Sequence, residues 1–459
     1  MSNSVQPKFT PPLDPEFLPA SLFNRAFQSA VIEVGVPLLI ALERGPDAIS
    51  RFDTRVFPES HPRFVENFFY VERILKFLLW QRGAYRVYVG GPLKIGEHLQ
   101  KIYAPDGDRQ FDYHFLTDRV YEQPFTIVPC DLAAVPSASE VGQPLGRHLD
   151  GCRIGFDLGA SDRKVSAVID GEAIYSEEVV WEPKEANDPD YHYREIMTAL
   201  NTAAAKMPRV DAIGGSSAGI YIDNCPKVAS LYRGIPLERF DEISTMFLRI
   251  RDELGVPMEV INDGDVTALA GSMSLGENAV LGIAMGSSEA TGYVDMDGNI
   301  MGWLNELAFG PVDYGPNAAQ EEWSRDFGVG ARYFSQQCVF RLAPKVGIEL
   351  PEGVTNAAKL KFVQEKLAAG HPGAQQIWET MGIYLGYALA HYADFYDIKY
   401  VLILGRCTSG RGGGLILAGA NQVLQAEFPE LAARIKVQLP DEKSRRVGQS
   451  IAAASLPAL

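Results

Sequence analysis

Residues 260–294, VINDGDVTALAGSMSLGENAVLGIAMGSSEATGYV, decide how this chain is interpreted. Asn262 and Asp263 end an apolar strand and precede a short helical run, and a second apolar strand then breaks at the Gly-Ser-Ser turn 286–288. Side chains at strand ends project into clefts, and a turn of small residues offers backbone N–H groups to an anion. A base and a phosphate cradle in one segment suggest phosphoryl transfer.

The Asn-Asp-Gly sequence has a second interpretation. It is also an ordinary turn and helix N-cap signal, because a short carboxylate such as that of Asp263 can accept hydrogen bonds from the first N–H groups of a helix. From this stretch alone, a structural cap and a catalytic base both stay open.

A second stretch has the same plan as the first. Residues 153–170, RIGFDLGASDRKVSAVID, predict a strand, a small-residue turn, a second strand and an Asp-Gly hairpin, and residues 281–300 repeat this order. Strands and helices alternate between the two stretches, which predicts a largely parallel sheet. Two halves built alike suggest a duplicated α/β fold with a cleft between the halves.

Other segments give weaker signals. Residues 62–82 predict a helix with an apolar stripe. The aromatic-rich residues 111–128 resemble a stacking platform for a ligand, but their strand-like period of two is explained by core packing. The strand predicted at 210–213 opens into the small-residue run 214–219. The buried strand 400–404 leads into the glycine run 405–414, which reads either as a flexible loop or as a turn facing a nucleotide.

Composition excludes several classes of function. The 459 residues suffice for two or three domains, and 42 basic against 58 acidic residues give a net charge of −16, which disfavours nucleic acid and anionic membranes as partners. The N-terminus lacks the features of a leader and no apolar run reaches the roughly 18 residues of a membrane span, so a cytoplasmic protein is expected. The five cysteines show no ligand spacing, which predicts free thiols and no zinc site.

Four motifs in order resemble the ROK family of sugar kinases, within the actin/hexokinase/Hsp70 ATPase superfamily. IGFDLGAS is similar to the first phosphate motif, INDGDVTALAG to the Asn-Asp sugar and catalytic motif, AMGSSEATG to the second phosphate motif, and LGRCTSGRGGG to the adenosine motif. The resemblance covers residues 153–459. It implies an α/β, two-lobed actin-like (RNase H-like) ATPase fold for these residues. Residues 1–150 lie outside the resemblance, and we expect them to form an additional N-terminal α/β domain.

The resemblance assigns roles on the sugar side of the reaction. Asp263 would be the general base that accepts a proton from the attacking hydroxyl, and Asn262 would hold a neighbouring hydroxyl. Glu306 in NELAFG matches the sugar-binding Glu of the Glu-x-Gly-His motif. Gly215 and Ser216 are further candidate substrate contacts.

The nucleotide side is assigned in the same way, with ATP and Mg²⁺ as the implied cofactors. Asp157 would face the Mg²⁺ of the nucleotide, and Gly159 and Ser161 would turn beneath the phosphates. The remaining candidates for cofactor binding lie in the second phosphate and adenosine motifs: Gly286, Ser287, Ser288, Gly405 and Gly410.

The chain also departs from the family pattern. Ala308 and Phe309 replace the Gly and His of the Glu-x-Gly-His motif, and the cysteine-rich zinc segment expected after Asp313 is absent. The expected lobes are residues 151–268 with the C-terminal helix at about 441–459, and residues 269–440. The predicted function is ATP-dependent phosphorylation of a sugar hydroxyl; a non-catalytic sugar- or nucleotide-binding regulatory protein is the alternative, and a homodimer stays open.

Overall fold

The computed structural model describes residues 6–140, 142, 144–440 and 442–459, with the backbone alone for 442–447. The chain forms two compact units. The first unit comprises Met1–Val141, Ile283–Ala290 and Trp303–Leu439, and the second comprises Gly142–Gly282, Thr291–Gly302 and Pro440–Leu459. Helices and sheets are mixed in both, which confirms the predicted α/β class.

The N-terminal part of the first unit contains one mixed sheet with strand order β2-β1-β3-β4. Strands β1 and β2 pair antiparallel around the Gly-Pro-Asp sequence at 45–47, and β3 and β4 pair parallel. The elements in chain order are α1 (Ala20–Val31), β1 (Val36–Gly45), β2 (Ala48–Val56), α2 (Glu66–Gln81), β3 (Arg86–Gly90), α3 (Leu93–Ile102), α4 (Gln110–His114), a π-helix (Phe115–Tyr121) and β4 (Thr126–Cys130).

Core packing of the aromatic-rich segment 111–128 is confirmed, since Phe115, Leu116 and Val120 are buried, but the strand-like period of two is wrong over most of its length. Helix α4 and the π-helix occupy residues 110–121, and only β4 begins within the predicted range. The rings of Phe111 and Phe115, four residues apart, lie 5.7 Å from each other. The aromatic residues therefore share a helical face, and their spacing of four was mistaken for a period of two.

The second unit is built on a five-stranded sheet with strand order β11-β8-β5-β6-β7. Strand β5 pairs antiparallel with β6 and parallel with β8, which in turn pairs parallel with β11. The elements are β5 (Cys152–Leu158), β6 (Asp162–Ile169), β7 (Glu172–Val180), α5 (Pro189–Ala204), β8 (Ala212–Ser217), β9 (Ile220–Ile222), β10 (Cys225–Val228), α6 (Phe240–Ser244), α7 (Met246–Leu254), β11 (Met258–Asn262) and α8 (Asp263–Leu275).

The remaining elements complete both units. A four-stranded sheet has the order β13-β12-β14-β15. The elements are β12 (Val280–Met285), β13 (Glu289–Val294), α9 (Gln336–Leu342), α10 (Asn356–Ala368), α11 (Pro372–Tyr392), β14 (Tyr400–Leu404), α12 (Arg411–Glu427), α13 (Pro429–Ala432), β15 (Lys436–Gln438) and α14 (Glu442–Ala454). No helix in the described part of the chain has the length and apolar content that a membrane span requires.

Two glycines explain how the last helix packs on the sheet of the second unit. A Cβ on Gly155 would lie 1.8 Å from the carbonyl oxygen of Ser450, and one on Gly214 would lie 1.6 Å from that of Ala453. Only glycine allows the α14 backbone to approach β5 and β8 so closely. The run 214–217 belongs to strand β8, so the strand that was predicted to end at residue 213 continues to Ser217.

Candidate functional site

Asp157 lies at the carboxyl end of β5, where the apolar sequence IGFDL forms a completely buried strand. Its Oδ1 accepts hydrogen bonds from Ser216 Oγ at 2.7 Å and from Gln449 Nε2 at 3.3 Å. Lys164 Nζ lies 3.7 Å from the other oxygen. Burial raises the pKa of Asp157, against the opposing effects of Ser216 and Lys164. The carboxylate is therefore held in a fixed orientation by residues from β6, β8 and α14.

The turn between β5 and β6 contains the predicted phosphate residues Gly159 and Ser161. The N–H of Gly159 donates to the carbonyl oxygen of Asp162, and its own carbonyl accepts from Trp181 Nε1 at 2.8 Å. Ser161 is exposed and its hydroxyl donates to Asp162 Oδ2 at 3.0 Å. The turn thus has a defined shape, with one hydroxyl group at its surface.

The predicted substrate contacts Gly215 and Ser216 are both buried inside β8. A Cβ on Gly215 would lie 2.3 Å from the ring of Phe156, and the hydroxyl of Ser216 is committed to Asp157. A direct contact of either residue with substrate stays a prediction. What the geometry gives to Ser216 is the positioning of Asp157.

The structure at the boundary between β11 and α8 shows which residue of the Asn-Asp pair is the helix cap. Asn262 is the N-cap of α8: its Oδ1 accepts the N–H of Gly264 at 2.6 Å, and its Nδ2 donates to the carbonyl of Gly219 at 2.7 Å. Asp263 is the first residue of the helix and is half-buried. Asn262, not Asp263, supplies the capping side chain.

The environment of Asp263 makes its carboxylate unusually basic. Burial and, secondly, the negative charge of Asp157 raise the pKa of Asp263 to about 6, although backbone N–H groups of residues 263 and 264 oppose the shift. Such a group is still mostly ionised at neutral pH and accepts a proton more readily than an ordinary aspartate. Asp157, at the end of β5, and Asp263, at the start of α8, thus lie close enough for their charges to interact.

Close backbone packing fixes the position of the helix start. A Cβ on Gly264 would lie 2.3 Å from the carbonyl oxygen of Thr291, and one on Gly292 would lie 2.1 Å from that of Gly264. The N–H of Tyr293 also donates to Asp265 Oδ1 at 3.1 Å. The glycines of INDGD and EATG therefore hold α8 against β13, a role that their sequence positions alone did not indicate.

In the first unit, the turn predicted to bind phosphate and the motif predicted to bind adenosine are neighbours. The turn at 286–288 is closed by a hydrogen bond from the N–H of Gly286 to the carbonyl of Ser288, and Ser287 and Ser288 are exposed. Gly405 has a φ of +96°, and its Cβ would lie 2.6 Å from the carbonyl oxygen of Met285. Only glycine fits this approach of β14 to the end of β12.

The glycine run after β14 is ordered, and its interpretation as a flexible loop is wrong. Gly410, with a φ of +61°, precedes α12, whose first turn is Arg411 and three glycines. Gly412 packs under the Trp378 indole, whereas the space around the Cα of Gly414 is open. Helix α12 begins without a side-chain cap and without an acidic residue in its first turn. A bare helix start of this kind is compatible with a phosphate group.

Glu306 lies in the first unit, on the short turn 305–310. Its N–H donates to the carbonyl of Trp80 and its carbonyl accepts the N–H of Phe309, while Ala308 and Phe309 are buried. Glu289, the first residue of β13, is buried nearby, and the two charges interact. The sequence interpretation missed Glu289. The available signal was a lone carboxylate directly after the turn at 286–288, where an apolar strand begins.

Metal-ligating side chains are scattered. Within the described residues, no group of three or more His, Cys, Asp or Glu side chains is arranged to hold a metal ion. All five cysteines are free thiols, and burial raises the pKa of Cys338 to about 11. The absence of bound zinc stays a prediction.

Comparisons with known proteins bear on the fold. No protein-family model and no curated protein sequence match this chain. Among solved structures, a ROK family transcriptional regulator, a homologue of the E. coli MLC protein, matches with a TM-score of 0.52 and 16% identity over 80% of this chain and 88% of the regulator.

Two kinases match over a smaller share of the chain. A ROK family glucokinase from Streptomyces griseus, in complex with glucose and AMPPNP, has a TM-score of 0.47 and 19% identity over 67% of this chain and 99% of its own. A ROK hexokinase from Thermus thermophilus has a TM-score of 0.49 and 16% identity over 66% of this chain and 97% of the hexokinase. At these identities the similarity concerns the fold alone.

Proposed function

Because the chain has the fold of the ROK family, as its four motifs predict, we propose that it is an ATP-dependent kinase that phosphorylates a hydroxyl group of a sugar or sugar-like molecule. The observation that carries this proposal is the division of roles at the start of α8. Asn262 caps the helix, so Asp263 is not required as the cap, and its pKa of about 6 suits a general base.

In the proposed reaction, the residues of the second unit position and deprotonate the acceptor. Asp263 would accept the proton that the sugar hydroxyl loses as its oxygen becomes bonded to the γ-phosphorus and ADP departs. The Asn262 amide group has two N–H donors, and one of them donates to the carbonyl of Gly219. The other N–H would donate to a neighbouring hydroxyl of the sugar. Glu306 as a further sugar ligand rests on the family resemblance.

MgATP, when bound, would supply the phosphoryl group and neutralise the charge that develops during transfer. Asp157 would face its Mg²⁺, held in orientation by Ser216 and Gln449. In the first unit, the exposed Ser287 and Ser288 and the open helix start after Gly410 are the positions to which the resemblance assigns phosphate and adenosine binding. These residues fit an anionic nucleotide, because backbone N–H groups and small side chains are what phosphate recognition uses.

The experiment is a thermal-shift screen of hexoses and N-acetylhexosamines, each with and without MgATP, followed by a coupled assay of ADP release. A ligand at about 100 times its Kd stabilises the folded state by about 2.7 kcal/mol, which the melting curve detects. The proposal predicts that one class of sugar raises Tm and, with MgATP present, leads to the release of ADP. A screen in which neither any sugar nor MgATP raises Tm would contradict it.

A second candidate is a non-catalytic regulatory protein that binds sugar or nucleotide on the same fold. The observation that favours it is Lys164, whose ammonium group lies 3.7 Å from Asp157 Oδ2 and 3.0 Å from Asp162 Oδ1. A divalent cation that approaches Asp157 would meet this positive charge. In the same screen, this candidate predicts a rise in Tm with sugar or nucleotide but no sugar-dependent release of ADP.

A further inference from the structure

Glu289 is a buried carboxyl group for which the proposed reaction has no use. Only 3% of the residue is exposed, and it lies between the phosphate turn at 286–288 and the turn 305–310 that carries Glu306. Tyr392 donates its hydroxyl to Oε1 at 3.3 Å. Among the described residues, no N–H or O–H group donates a hydrogen bond to Oε2. An ionised carboxylate would leave this oxygen desolvated and unpaired, which is costly.

The surroundings of Oε2 offer it an acceptor. A Cβ on Gly330 would lie 2.0 Å from Glu289 Oε2 and 2.5 Å from the carbonyl oxygen of Leu307, so these two oxygens are at most 4.5 Å apart. Two acceptors repel each other unless one of them carries a proton. The Leu307 carbonyl already accepts the N–H of Gly310, and a carbonyl oxygen has a second lone pair for another donor.

The charges around Glu289 favour its neutral form. Burial, and secondly the charge of Glu306, raise the pKa of Glu289 to about 8, although the hydrogen bond from Tyr392 opposes the shift. The short helical turn Gly330–Arg332 also packs against Glu289, and its Gly330 contributes no side chain. Arg332 Nη1 is directed to Gln337 at 3.0 Å and to Glu322 at 3.5 Å.

We propose that Glu289 is a positioning residue that stays protonated in the folded protein, donates its proton to the carbonyl oxygen of Leu307, and thereby holds the turn 305–310 that presents Glu306. The hydrogen bond would tie the start of β13, directly after the phosphate turn, to the predicted sugar ligand. The effect of this hydrogen bond on sugar binding rests on the proposed function. The protonation of Glu289 and its contact with the turn 305–310 do not depend on it.

The protonation is tested without any ligand. In the unfolded chain the carboxyl group ionises near its ordinary pKa of 4.5, while in the folded protein it keeps the proton up to about pH 8. Its contribution to stability is therefore fully present below pH 4.5 and is lost as the pH rises to about 8. Glu289→Gln cannot ionise, so its Tm relative to the parent should rise steadily between pH 5 and 8 and level off above.

Two further variants and a spectroscopic signature sharpen this test. Glu306→Gln removes the neighbouring charge, so it should move the end of the pH-dependent range to lower pH without abolishing it. The infrared difference spectrum of parent minus Glu289→Gln should contain the C=O band of a protonated carboxyl group at pH 7. A Tm difference that is independent of pH, or a carboxylate band in its place, would overturn the proposal.

The positioning role is tested by hydrogen exchange of the peptide 303–312. Glu289→Leu fills a similar volume but donates no hydrogen bond, so exchange should become roughly fivefold to tenfold faster, whereas Glu289→Gln, whose amide can donate to Leu307, should exchange like the parent. Equal exchange in all three proteins would overturn the role. If the screen finds no sugar while these results hold, the proposed function fails and this inference stands.

Discussion

Substitution of Asp326 tests how the N-terminal part of the first unit is joined to the segment that stands where the family's zinc loop is expected. The carboxylate of Asp326 is 4% exposed and lies 2.7 Å from Arg109 Nη1, 3.3 Å from Lys76 Nζ and 3.3 Å from Arg73 Nη2. Glu72 and Asp112 complete the cluster, in which three cations face three carboxylates: Arg73, Lys76 and Arg109; Glu72, Asp112 and Asp326. The buried charges therefore balance.

The variant Asp326→Asn leaves a net positive charge in this buried cluster. Removal of one partner from a buried ion pair typically costs about 3–5 kcal/mol, because the remaining charge stays desolvated. Burial alone would raise the pKa of Asp326, but the charges of Lys76, Arg73 and Arg109 hold it well below its usual range. The stabilisation is thus present above pH 3.8, the group's ordinary pKa, and is lost as the pH falls towards its lower value in the folded protein.

The measurement is urea unfolding at pH 7, followed by tryptophan fluorescence. The matched control is Asp53→Asn, which breaks the exposed ion pair with Arg51 and should change the free energy of unfolding by less than about 1 kcal/mol. The double variant Asp326→Asn/Arg109→Met restores charge balance, because Arg73 still pairs with Glu72 and Lys76 still pairs with Asp112, and it should recover part of the loss. If Asp326→Asn costs no more than the control, the cluster does not join these segments as described.

Three further outcomes are expected. Asn262→Ala removes the cap of α8 and should lower the free energy of unfolding by about 0.5–2 kcal/mol in chemical denaturation, whereas Asn262→Asp keeps a capping oxygen and should lose less; equal losses would contradict the cap. Gly405→Ala forces a positive φ and a contact with Met285, and should lower Tm more than Gly414→Ala, which meets open space; a smaller effect at 405 would refute this. Elemental analysis of the purified protein should find no zinc, and one chelator-resistant equivalent would contradict the prediction.

Local patterns in the sequence were sufficient for the α/β class and for the end of β11. The apolar run 257–261 and the Asn-Asp-Gly that follows correctly predicted a strand that delivers Asn262 to the start of a helix. The repeated strand-turn-strand plan likewise matches β5–β6 and β12–β13. These features depend on neighbours within a few residues, which periodicity and turn chemistry report directly.

Long-range packing was beyond the same reasoning. Asn262, the cap of α8, also donates to the carbonyl of Gly219, 43 residues away, and Asp157 accepts a hydrogen bond from Gln449, 292 residues away. Gly214 lies in a strand that α14 covers, and α14 is more than 200 residues away along the chain. No local pattern encodes such contacts, and none indicated that Tyr392 and Gly330 pack against Glu289.

The most direct test of the proposed function is the turnover of Asp263→Asn with the sugar that the screen identifies, measured by coupled ADP release. The variant keeps the side-chain size, and α8 keeps Asn262 as its cap, so its Tm should stay near that of the parent. Asp252→Asn, an exposed aspartate of α7, is the matched control and should be as active as the parent. Loss of a general base typically lowers the rate by about 10² to 10⁴. We predict a loss of that size for Asp263→Asn; a folded variant that turns over like the parent would contradict the assignment of Asp263 as the base.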